Sequence, residues 1–68
     1  MKYKLTKTQV VVLEKMVDGK ATSEIANEMN VSENTVNTHI KAVYSELGVH
    51  SRAQVVRKAI EEKVIKLK

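Results

Sequence analysis

Residues 22–47 read TSEIANEMNVSENTVNTHIKAVYSEL, and the punctuation inside this stretch decides the fold. Ala21 or Thr22 stands at the start of a first helical segment, and Glu24 falls in its first turn, where a negative charge favours the helix dipole. Ile25, Ala26 and Met29 share one face at helical spacing. Asn30 tolerates the left-handed conformation that ends a helix, and Val31 anchors the turn. Ser32 then offers an N-cap hydroxyl, with Glu33 behind it. Val36, Ile40, Val43, Tyr44 and Leu47 recur at helical spacing until Gly48 closes the run. A short helix, a turn of about three to four residues and a longer helix make a helix-turn-helix layout.

Working outward, Thr6 and Gln9 form a capping-box pair ahead of a segment whose apolar face carries Val12, Leu13, Met16 and Val17, with Gly19 as its stop. On the other side, Ser51 and Gln54 suggest a second capping box. The segment behind them places Ala53, Val55, Val56, Ala59, Ile60, Val64 and Ile65 at helical intervals. Strand-like alternation is confined to Lys2-Tyr3-Lys4-Leu5. The expectation is an all-α fold, one domain over residues 1–68, with helices over about 7–18, 22–29, 33–47 and 52–64.

Size and composition bound the function. A chain of 68 residues buries only about 60% of its unfolded surface, which leaves little material for a deep catalytic cleft. It has no cysteine, which removes disulfides and thiolate zinc sites. His39 and His50 lie on different segments without a partner at ligand spacing, so neither a metal nor a cofactor is expected. No set of nucleophile, base and orienting group stands out among the many Ser and Thr residues, so an enzyme is not expected. The longest apolar run, Val10-Val11-Val12-Leu13, is far short of the roughly 20 residues that cross a bilayer. The start, Met1-Lys2-Tyr3-Lys4, has no signal-peptide character. The expected location is the cytoplasm, with no membrane partner.

Twelve basic residues against eight acidic ones leave a net charge of +4, the balance of a nucleic-acid binder. Two tyrosines are the only aromatic residues, which argues against single strands bound by base stacking. In helix-turn-helix proteins that bind DNA, the second helix enters the major groove. Here Asn34, Asn37, Thr38 and Lys41 lie three and four apart and share a face opposite Val36, Ile40 and Val43. Asn pairs with adenine, Thr touches a thymine methyl, and Lys bonds guanine or phosphate. A solvated helix face has the same polar pattern. Between Ser32 and Leu47 the charges are Glu33, Glu46 and Lys41, less basic than a reading helix usually is.

Several runs carry a resemblance: Leu5-Thr6, Val12-Leu13, Gly19, Glu24-Ile25-Ala26, Val31-Ser32-Glu33, Thr35-Val36, His39, Leu47-Gly48-Val49 and Ser51-Arg52-Ala53-Gln54. The chain resembles the LuxR-type helix-turn-helix domain of bacterial transcription regulators over about residues 5 to 65. That resemblance implies a four-helix domain that binds double-stranded DNA as a homodimer, with the third helix in the major groove and the fourth at the dimer contact. It places Asn34, Asn37, Thr38 and Lys41 at base-reading positions. It places Thr22, Ser23, Thr35 and Arg52 at backbone-contacting ones, with a structural ion pair as the alternative for Arg52. The chain departs from the family at Thr8-Gln9, where an Arg-Glu pair is usual. It departs again at Asn37, Ser45 and Glu46, where basic residues are common, and at Lys63, where glycine commonly ends the last helix.

The last segment carries two apolar stripes. Val55 and Ala59 suit the core. Ala53, Val56, Ile60 and Val64 form a second line, flanked by Arg57 and Glu61, and are the expected dimer interface together with Arg57. One of Val10 and Val11 faces solvent if Gln9, Val12, Leu13 and Met16 are buried. Such a valine is either tolerated there or meets a protein such as RNA polymerase or another regulator. The leading expectation is a transcription regulator without an attached receiver or ligand domain. The alternative is a small helix-turn-helix protein that modulates another regulator by protein contact, with little DNA affinity.

Overall fold

The computed structural model describes residues 4–61, which form four helices and, among the described residues, no strand. The helices are α1 (Lys7–Val17), α2 (Thr22–Met29), α3 (Glu33–Leu47) and α4 (Arg52–Glu61). Expected helical positions 62–64, with Val64 of the proposed interface, lie outside the described residues, as do Lys63 and Ile65.

Each start has a local cause. The Thr6 hydroxyl accepts the Gln9 N–H at 3.1 Å, and the Gln9 side chain accepts the Thr6 N–H at 3.0 Å, a complete capping box. Ala21 has no side-chain acceptor, so α2 has half of one: Glu24 reaches back to the Ala21 N–H at 2.9 Å. Ser32 accepts the Thr35 N–H at 3.1 Å. At α4, Ser51 accepts the Gln54 N–H at 3.3 Å, but the Gln54 side chain takes the N–H of His50, at 2.8 Å, not that of Ser51. The expected second capping box is therefore displaced by one residue on its return arm.

The three helix ends that lead into turns share one device. Gly19, Asn30 and Gly48 adopt positive φ. The N–H groups of Lys20, Val31 and Val49 reach back to the carbonyls of Lys15, Ala26 and Tyr44 at 3.0–3.1 Å. These are paired bonds of the Schellman type, which satisfy carbonyls that a helix end leaves open. Asp18 is the right-handed cap of α1, so that helix stops one residue before the expected 18. Val31 fastens the turn through its backbone, while its side chain remains 40% exposed.

The core is a single cluster: Val12, Leu13 and Met16 from α1, Ile25 and Ala26 from α2, Val36, Val43 and Leu47 from α3, and Val55 and Ala59 from α4. Full burial of one such large side chain contributes about 1.5–3 kcal/mol. α1 packs on α3 and α4, and α2 packs on α3, so α3 is held from two sides. Val10 joins the periphery of the core and Val11 is the valine that faces solvent.

Candidate nucleic-acid interface

The buried side of α3 fixes what its other side presents. With Val36, Val43 and Leu47 turned inward, Asn34, Asn37, Thr38 and Lys41 all lie exposed, on one face by their spacing. The first turn beneath them is tightly held: the Ser32 and Thr35 hydroxyl oxygens lie 3.0 Å apart, in addition to the cap bond. The Thr38 hydroxyl donates to the Asn34 carbonyl at 3.0 Å, one turn back along its own helix. Among the described residues, the Asn34 and Asn37 amides have no intramolecular partner.

The residues expected at the backbone divide. Ser23 and Thr35 are exposed, and Thr22 at the start of α2 is half-buried. Arg52 is engaged within the fold, through carbonyls and not through the ion pair expected as its alternative. From the first position of α4, its Nη2 donates to the Met16 carbonyl at 3.2 Å and to the Lys20 carbonyl. It thus fastens α4 to the end of α1.

Two glutamates make charged contacts that have no signal in the local sequence. Glu28 on α2 pairs with Lys15 on α1 at 2.6 Å and with Lys20 in the α1–α2 turn at 2.9 Å. The hydrogen bond from Lys15, then that from Lys20, holds the Glu28 carboxyl below its ordinary value. The hydrogen bond to Glu28 raises the Lys20 ammonium. Glu46 accepts the Lys4 backbone N–H at 2.9 Å and so ties the first described residue to α3. Residue 46 therefore serves the fold here, at a position where the expected family often has a basic side chain.

Charge is unevenly spread. Residues 22–47 contain Glu24, Glu28, Glu33 and Glu46 against Lys41 alone, a net of −3. No group of three His, Asp or Glu among the described residues is placed to hold a metal ion. No helix among them is long and apolar enough to cross a membrane.

On the outside of α4, Ala53 and Ile60 are exposed and Val56 is half-buried. Arg57 and Glu61 form an i,i+4 ion pair at 3.5 Å beside them. A shallow open depression separates this helix from the α3–α4 turn and is lined by Val49, His50 and Gln54 among others.

The bacterial regulatory proteins of the luxR family match residues 3–59. The chain is 46% identical over 52 residues to the spore germination protein GerE of Bacillus subtilis, covering 76% of this chain and 70% of that protein. It is 38% identical over 55 residues to the glycerol metabolism activator of Pseudomonas putida, covering 81% of this chain. The chain spans only 25% of that activator's length. Among solved structures, the response regulator ChrA of a heme-sensing two-component system superposes with a TM-score of 0.88 at 28% identity, over 96% of this chain and 32% of ChrA. The phage VqmA–DPO complex gives the same TM-score at 18% identity, a likeness of fold.

Proposed function

The chain belongs to the luxR family of bacterial regulatory proteins, and from that membership we propose that it is a sequence-specific regulator of transcription that binds duplex DNA in the cytoplasm. It acts as a homodimer, with α3 in the major groove. The observation that carries this reading is the exposed set Asn34, Asn37, Thr38 and Lys41 on the outer side of a helix whose inner side is fixed in the core. All four side chains match base edges or phosphate chemically.

Ser23, Thr35 and the edge of Thr22 position the sugar-phosphate backbone. Arg52 supports them indirectly, by holding α4 against α1. Ala53, Val56, Arg57 and Ile60 form the self-contact, and a two-fold arrangement sets two copies of α3 about one turn of DNA apart.

Selection of bound duplexes from a random library, followed by titration of the winner at several salt concentrations, tests the proposal. An enriched sequence is expected. So is a log–log salt slope near −5 if a dimer neutralises about six phosphates. Asn37→Ala should cost about 1–3 kcal/mol and relax preference at one base pair. Failure to enrich any duplex, or binding indifferent to salt, refutes it.

The second reading is a protein that modulates another regulator through protein contact. The net acidity of residues 22–47 and the exposed Val11, at 38%, favour it. Its partner, another regulator or the polymerase itself, would be retained by the parent and lost by Val11→Asp, with the fold intact.

A further inference from the structure

We infer that the half-site read by this chain is built of A·T pairs, and that Thr38 recognises it through its methyl group rather than its hydroxyl. The inference rests on the duplex-DNA reading above and supplies the class of sequence that reading leaves open.

The argument begins with the bond from the Thr38 hydroxyl to the Asn34 carbonyl, 3.0 Å long. A threonine inside a helix commonly turns its oxygen back onto the carbonyl of the preceding turn. Its branched Cβ has few rotamers, so fixing the oxygen also fixes the methyl. Thr38 is exposed; with the hydroxyl hydrogen already donated it has no donor left for a groove, and beside an acceptor lone pair it offers the Cγ2 methyl. The base-edge feature that matches a methyl is the C5-methyl of thymine.

Its neighbours point to the same base pair by a different chemistry. Asn34 and Asn37 are exposed, and among the described residues neither amide has an intramolecular partner. An asparagine amide both donates and accepts, which fits the N6 and N7 of adenine. Adenine read by amides and thymine read by a methyl are the two halves of one kind of pair. Lys41, a turn further along, is the only group on this face suited to guanine, so G·C is confined to the edge of the half-site.

The test uses the full chain and the duplex selected as above. Each thymine of the enriched half-site is replaced in turn by deoxyuridine, which differs only by the lost methyl. The parent, Thr38→Val and Thr38→Ser are titrated against every duplex. At one position the parent should lose about fourfold in affinity per half-site, the loss expected for one methyl group no longer buried. Thr38→Val should lose as much, and Thr38→Ser nothing further, because serine keeps the oxygen and lacks the methyl. Three results overturn the inference while leaving duplex binding intact: an enriched half-site of G·C pairs, uracil tolerated at every position, or preference kept by Thr38→Ser and lost by Thr38→Val. Failure to enrich any duplex overturns the DNA reading itself, and the inference with it.

Discussion

Arg52 shows how one residue type serves two different tasks. A guanidinium can meet phosphate, or it can satisfy carbonyls, and here it donates to those of Met16 and Lys20. The Met16 carbonyl lies in the last turn of α1 and the Lys20 carbonyl in the α1–α2 turn, so the guanidinium supplies a further donor to each. Removing a charged donor from such a pair costs about 1.5–3 kcal/mol. Arg52→Ala should therefore lower stability by about 2 kcal/mol in urea unfolding. Its folded fraction should still bind duplex with an unchanged salt slope. A slope smaller by about 1 would mark Arg52 as a phosphate contact instead. Glu28 makes a complementary case. Lys15 and Lys20 stabilise its charged form, so its carboxyl titrates lower in the folded chain than in the unfolded one. The stabilisation is complete above the ordinary value of 4.5 and disappears as pH falls through the depressed one. Thermal melts in acid should show Glu28→Gln losing less stability on acidification than the parent, with the gap between the two narrowing.

Elements differ in how openly the sequence declares them. Starts and stops were legible because they are local: Thr6 with Gln9, Ser32, Asn30 and the two glycines each act within a few residues of chain. The two stripes of α4 were legible for the same reason, since helical spacing alone separates the buried Val55 and Ala59 from the exposed Ala53 and Ile60. Contacts between elements were not. Glu28 meets Lys15 across 13 positions, Arg52 reaches Met16 across 36, and Glu46 reaches Lys4 across 42, and no periodicity encodes such distances. The Gln54 side chain shows a smaller failure, since the choice between the N–H of Ser51 and that of His50 depends on turn geometry. On α3 the cap and the candidate reading face belong to one unit: Ser32 bonds Thr35 twice, within the first turn that carries Asn34. Ser32→Ala should cost about 1 kcal/mol of stability. If the reading face depends on that first turn, duplex affinity should also fall, and restoring an N-cap with Ser32→Asp should recover the stability, as calorimetry beside a binding titration would show.

At the scale of the molecule, charge and apolar surface lead to the same demand. A single copy has an acidic helix-turn-helix, net −3 over residues 22–47, so phosphate attraction contributes little in that region and a lone domain should hold DNA poorly. Two copies on one site double the base contacts without making that region any more basic. In the proposed homodimer the outer side of α4 would pair them. Val55 and Ala59 are fully buried against the other helices, leaving Ala53, Val56 and Ile60 on the opposite side, with Ile60 40% exposed. The ion pair of Arg57 and Glu61 borders this line, but both partners are solvent-exposed and such a pair contributes little. In the proposed homodimer the apolar line would supply the affinity, and a contact this narrow predicts a weak dimer that forms mainly on DNA. Ile60→Glu places a charge in the line without touching the core. Sedimentation should show no self-association of the variant at any concentration, and circular dichroism should show its helices intact. Titration against a two-half-site duplex should change from cooperative to independent, half-site binding. An unfolded variant would place Ile60 in the core, against its exposure. A folded variant that binds cooperatively like the parent would move the interface to another face.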